Sequence, residues 1–141
     1  MAITTTTHLN FRGAARQALE FYRSVFGGEV ALVTYGDAGL AQDPAAADQI
    51  MWGQVQGGQG IHVMAYDVPA WMQYEPGVNA VFVSVRGSDP AELTAYWKGL
   101  AEGADVVQDL GPAAWSPLYG MLKDRFGVVW VLDLAVAPQE T

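Results

Sequence analysis

A chain of 141 residues, 51% of them hydrophobic, is long enough for one domain with its own core and too apolar for a disordered segment. Its formal net charge of −8, from 15 acidic against 7 basic residues, argues against a nucleic-acid partner, which would need a basic surface to neutralise phosphates. The lack of cysteine removes thiol catalysis, thiolate metal sites and disulfides. The first seven residues have neither the basic region nor the apolar run of a signal peptide, and no apolar stretch reaches membrane-spanning length, so a cytoplasmic protein with no membrane partner is expected.

In chain order, Thr4 to Phe11 is β-branched and alternating and predicts a strand. Gly13 opens a turn. Ala18, Leu19, Tyr22, Val25 and Phe26 then recur at helical spacing, so 14–26 reads as an amphipathic helix ended by Gly27 and Gly28. Glu29 to Tyr35 reads as a strand and Gly36 to Asp48, rich in Gly, Ala, Asp and Pro, as a loop. Strands are expected at 49–56 and 61–66. The connector 67–77 holds Pro69, Trp71, Met72, Tyr74 and Pro76, and Asp67 is expected to form its first turn.

Asn79 to Arg86 predicts the next strand, and Ser88 or Asp89 caps a helix with Pro90 in its first turn, running to about Glu102 before Gly103. A short strand at 105–108, a loop at 110–117 holding Trp115, and strands at 118–123 and 128–136 around Asp124-Arg125-Phe126-Gly127 complete the chain, with 137–141 as a frayed tail. The order β-α-β-β-β therefore occurs twice. An offset of 74 aligns Arg12 with Arg86, Gly13 with Gly87, Leu19 with Leu93, Tyr22 with Tyr96 and Phe26 with Leu100. The expected fold is α+β: one domain of two βαβββ modules, about 4–66 and 78–136, forming a curved mixed sheet around a cavity with the helices outside.

Ala18-Leu19-Glu20-Phe21-Tyr22, Phe26-Gly27, Trp115 with Tyr119-Gly120, and Asp124-Arg125-Phe126-Gly127-Val128-Val129-Trp130 appear in that order. Together they resemble the vicinal-oxygen-chelate superfamily of glyoxalases, bleomycin-resistance proteins and dioxygenases. The nearest look is to its PhnB-like branch, also catalogued as the 3-demethylubiquinone-9 3-methyltransferase domain. The methyltransferase label carries no weight, because the chain has no G-x-G-x-x-G loop and no room for a nucleotide-cofactor domain. The resemblance implies four metal-ligand positions on inner strands. His8 occupies the first, and the offset of 74 puts Phe82 at its counterpart, with Asn79 as the alternative. Met64 and Val131, each four residues after a glycine, take the other two. One imidazole in four does not hold a transition metal, so neither metal nor cofactor is expected. A displaced set of His8, His62 and Asp133 is the alternative.

Strand alternation puts His8, Asn10, His62, Met64, Tyr66, Phe82, Ser84, Val131 and Asp133 toward the cavity, with Trp52 and Trp115 at its border. That mainly apolar set suits a small, partly aromatic molecule, and the net charge favours a cationic one. His8 and His62 are candidate general bases or hydrogen-bonded wall residues. Asp133 is either buried or frayed into solvent, Trp130 packs under a helix, and Arg12 and Arg86 serve structural turns. Trp71, Met72 and Tyr74 line either the cavity or a dimer interface. The leading expectation is a metal-independent glyoxalase- or bleomycin-resistance-like binding protein. A metal-dependent glyoxalase- or dioxygenase-type enzyme and a purely structural dimeric module are the alternatives. The resemblance also implies a homodimer, so sedimentation at micromolar concentration is expected to give about twice the chain mass of 15.1 kDa.

Overall fold

The computed structural model describes residues 3–58 and 60–135. The expected strand end at Val136 and the tail 137–141 lie outside the described residues. The chain divides into two compact units, Met1–Gly77 and Val78–Thr141, each carrying one β-α-β-β-β module. In the first, β1 (Thr7–Phe11) and α1 (Ala15–Phe26) precede β2 (Glu29–Thr34), β3 (Ile50–Gln56) and β4 (His62–Asp67). In the second, β5 (Val83–Gly87) and α2 (Pro90–Ala101) precede β6 (Asp105–Ala113), β7 (Ser116–Lys123) and β8 (Val129–Leu134). Each unit has its own four-stranded mixed sheet, ordered β1-β4-β3-β2 and β5-β8-β7-β6. In both, the first strand lies parallel to the last, and the remaining pairs are antiparallel.

Each helix covers one face of its own sheet. Ala15, Ala18, Leu19, Tyr22 and Phe26 form the buried stripe of α1, packed on Val55, Val63 and Ala65. In α2 the stripe is Leu93, Trp97 and Leu100, so Trp97, rather than the expected Tyr96, takes the place of Tyr22. Close approach needs a glycine in the strand beneath. A Cβ at Gly53 would lie 2.7 Å from Leu19 Cδ1, and one at Gly120 would lie 2.7 Å from the Trp97 ring.

The two helices start by different means. Asp89 caps α2 locally, its Oδ1 accepting from Ala91 N at 3.0 Å with Pro90 in the first turn. Alanine stands at the N-cap of α1, which has no capping side chain of its own. The carboxylate comes instead from Asp67, at the far end of β4. Its Oδ1 accepts from Gly13 N at 2.6 Å and Ala15 N at 3.1 Å, and its Oδ2 accepts from Ile50 N at 2.8 Å. Asp67 is therefore a buried strand residue serving three segments, not the turn former expected beyond the strand end.

Strand register corrects the sequence repeat. Glu29 pairs with Gln56 and Asp105 with Lys123, so β2 and β6 are 76 positions apart (105 − 29) and β3 and β7 are 67 apart (123 − 56). The first unit thus spends nine more residues (76 − 67) between its second and third strands. They lie in the long connection 35–49, with a 3-10 turn at Pro44–Ala46, where the second unit makes a two-residue turn at Ala114-Trp115. The expected loop at 110–117 is largely strand. Gly111-Pro112 mimics a loop in sequence but sits in irregular register within β6.

Replacing Asp67 with alanine would leave three N–H groups without their acceptor at once. It is expected to cost about 3 kcal/mol in urea unfolding, with Asp67→Asn intermediate because the amide retains one acceptor oxygen.

Candidate functional site

The exposed face of the first sheet is polar. In β1 and β4, His8 pairs with Met64 and Asn10 with Tyr66; in β3 and β4, Gln54 pairs with Met64 and Gln56 with His62. These side chains alternate away from α1, as strand periodicity requires. Both His62 ring nitrogens are engaged: Nδ1 with Thr6 Oγ1 at 3.0 Å and Nε2 with Gln54 Oε1 at 2.8 Å. The amide oxygen only accepts, so Nε2 donates to it and Nδ1 is left to the Thr6 hydroxyl. His8 Nδ1 lies 3.1 Å from Asn10 Oδ1, and its ring stands edge-on to Tyr66 with centroids 5.2 Å apart.

In the second sheet Ser84 pairs with Val131 and Arg86 with Asp133. His8 pairs with Met64 as Ser84 pairs with Val131, so Ser84, not Phe82, is the counterpart of His8. Phe82 lies just before β5. The offset of 74 is two residues short on this strand, and a slip of two leaves the face unchanged. Asp133 is buried and bound through both oxygens by Arg86, at 3.3 Å and 3.0 Å. Trp115 is exposed in the hairpin turn and stacks edge-on against Tyr119. The predicted residues thus form one group on each sheet.

A cavity of about 620 Å³ lies within the first unit, where β3 and β4 meet the long connection and the segment 68–72. Tyr35, Leu40, Met51, Tyr66, Trp71 and Met72 supply most of its bulk, with the chain from Ala41 to Ala46 along one side. Of the predicted site set only Tyr66 belongs to this wall, joined by Trp71 and Met72, the connector side chains that sequence left between two roles. Met51 lines it where Trp52 was expected, beside the register shift between Val33 and Thr34.

Arg12 holds the connector against the wall. Its Nε donates to Val68 O at 3.1 Å, its Nη2 donates to Pro69 O at 3.1 Å and to Met72 O, and its guanidinium lies 5.5 Å from the centre of the Tyr74 ring. Tyr74 in turn donates to Asn10 O. Tyr35 and the long connection gave no sequence signal beyond length. Pro69, Trp71 and Met72 did, as aromatic and apolar residues concentrated in a linker.

The metal positions implied by the resemblance do not fit a transition metal: they are His8 and Met64 on one sheet, Ser84 and Val131 on the other. No group of three or more His, Asp or Glu side chains able to hold a metal ion occurs among the described residues. No step through a metal follows.

The two βαβββ modules, each with a four-stranded mixed sheet, match the fold of solved proteins of the glyoxalase/bleomycin resistance/dioxygenase superfamily. A member of that superfamily from Sphaerobacter thermophilus DSM 20745, 18% identical, superposes with a TM-score of 0.57 over 96% of this chain and 100% of its own. Residues 3–132 match the model of the family described as 3-demethylubiquinone-9 3-methyltransferase, and the chain belongs to that family, the PhnB-like branch. Protein PA1353 from Pseudomonas aeruginosa is similar at 32% identity and TM-score 0.81, covering 94% of this chain and 98% of that one. A PhnB protein from Bacillus cereus follows at 24% identity and TM-score 0.75, over 94% and 100%. No curated protein matches the chain. No helix among the described residues is long and apolar enough to cross a membrane.

Tyr35 carries a pH dependence into this wall. Burial, then the neighbouring Tyr66 and Asp67, pushes its hydroxyl above the ordinary 10.0, while that hydroxyl donates to Asp67 O at 2.6 Å. The neutral phenol is thus favoured by folding. Its contribution is complete below the unfolded value and is lost as pH rises through the folded one. Urea midpoints measured from about pH 8 to about pH 11 should fall more steeply for the wild type than for Tyr35→Phe, which cannot ionise but starts lower.

Proposed function

We propose that this protein binds a small, flat, partly aromatic organic molecule in the pocket of its first unit, without a metal. The observation that supports the reading is the cavity of about 620 Å³ with its wall of Tyr35, Met51, Tyr66, Trp71 and Met72. That volume lies within the range of small-molecule sites, and such a wall presents flat apolar surface with few polar contacts. Binding accounts for the residues better than acid–base chemistry does. His62 spends both ring nitrogens on Thr6 and Gln54, and neither His62 nor His8 belongs to the pocket wall, so no imidazole lines the proposed ligand site. The same engagement of His62 counts against a displaced metal site with His8 and Asp133.

The test is a fluorescence and calorimetric titration with 2-naphthamide, a flat neutral probe. Saturable binding at about micromolar to tens-of-micromolar concentration is expected, with a change in tryptophan emission from Trp71. Ala46→Trp, which fills the pocket from the connection side, should weaken binding at least about tenfold with little change in the urea midpoint. Elemental analysis of protein purified without a chelating tag should find no stoichiometric transition metal. One tightly held metal per chain, lost on His8→Ala, would overturn the metal-free reading.

A further inference from the structure

We propose that the ligand of this pocket is an aromatic carboxylate, its ring in the apolar wall and its carboxylate paired with Arg12; the inference rests on the pocket reading above. The wall contains one cation and one carboxylate among the described residues, Arg12 and Asp43. They are not equivalent.

Arg12 is fixed. Its Nε and Nη2 are spent on the carbonyls of Val68, Pro69 and Met72, and the guanidinium lies against the Tyr74 ring. Nη1 makes no hydrogen bond among the described residues, and no carboxylate lies within ion-pair distance of the guanidinium. Asp67, which meets the turn that follows Arg12, has its own carboxylate taken up by three backbone N–H groups. The three backbone carbonyls that hold Arg12 are neutral acceptors, so they orient its charge without cancelling it. The result is a preorganised donor with two N–H bonds left over, a geometry suited to a carboxylate oxygen.

Asp43 is held at one point. Its Oδ1 accepts from Ala45 N at 3.0 Å and caps the 3-10 turn Pro44–Ala46, while its Oδ2 makes no hydrogen bond among the described residues. A single N–H orients that carboxylate less firmly than three carbonyls orient Arg12, so Arg12 is the better preorganised partner of the two. A ligand that fills the pocket also displaces water from the wall, and an N–H stripped of water without a new acceptor is costly. A carboxylate supplies that acceptor. Arg12 remains exposed, so the pair sits at the solvent side with the ring inward, and its gain is that of a surface pair reinforced by fixed geometry. The net charge of −8 works the other way at long range, favouring cations. At physiological salt that field is screened within about 8 Å, so the contact with Arg12 decides.

The experiment compares three probes of one shape on the full chain at about 0.15 M salt: 2-naphthoate, neutral 2-naphthamide and 2-naphthylmethylammonium. The carboxylate is expected to bind about fivefold or more tightly than the amide, and the ammonium more weakly than either. Arg12→Gln should bring the carboxylate-to-amide ratio to about one. The ratio is the readout, because loosening the connector would weaken both probes together. Asp43→Asn should leave the carboxylate preference in place. Equal binding of carboxylate and amide, or tightest binding of the ammonium, overturns this inference and leaves pocket binding standing. Failure of all three to bind overturns the pocket reading and this inference with it.

Discussion

One buried carboxylate organises the first unit. Asp67 gathers the backbone N–H groups of Gly13, Ala15 and Ile50, so the end of β4, the start of α1 and the start of β3 meet at one side chain. Its own carbonyl accepts from the Tyr35 hydroxyl, and the next residue, Val68, donates to Phe11 O at 2.6 Å. A carboxylate this buried persists because each oxygen is hydrogen-bonded, and the positive end of the α1 dipole adds to the compensation. The pocket inherits this arrangement. Arg12 adjoins Gly13, which Asp67 holds, Val68 adjoins Asp67 itself, and Tyr35 is anchored to the Asp67 backbone, so three parts of the wall are set from one point.

The second unit meets the same structural needs with other groups. Its helix is capped by its own Asp89, and one of its two buried carboxylates among the described residues, Asp124, lies in the turn between β7 and β8. Asp124 accepts from Phe126 N, Val128 N and Trp130 Nε1, which explains the Asp124-Arg125-Phe126-Gly127 motif as the lock of a hairpin. Arg125 of that turn donates to Glu102 O at the end of α2, supplying an acceptor group there with its partner. Gly53 and Gly120 hold matching places on β3 and β7, 67 positions apart (120 − 53), where a large helical side chain presses on the strand.

What distinguishes the units chemically is the extra length between β2 and β3. Nine residues that the second unit lacks become the side of a pocket in the first. The connector clamped by Arg12 supplies the opposite side. The pocket is thus built from an insertion on one module, while the exposed sheet face of the same module carries a hydrogen-bonded line running from Thr6 through His62 to Gln54 and Gln56.

The sequence determined the two modules, the helices and most strands, because burial of one face imposes a period of two or 3.6 that survives any particular packing. It determined which side chains share a face, and even the wrong offset preserved that, since a slip of two keeps strand parity. The pairing of Ser84 with the role of His8 was out of reach, because register depends on which backbone groups bond across strands and leaves no mark in one strand's composition. The role of Asp67 was hidden for a related reason: its partners lie 17 to 54 positions away, and an aspartate at a strand end looks the same whether it turns the chain or caps a distant helix. The pocket was decided by tertiary structure alone. Its wall joins Arg12, Tyr35, Met51, Tyr66 and Trp71, residues with no common spacing, brought together by a carboxylate, a bulge and three carbonyls that only the folded chain places side by side.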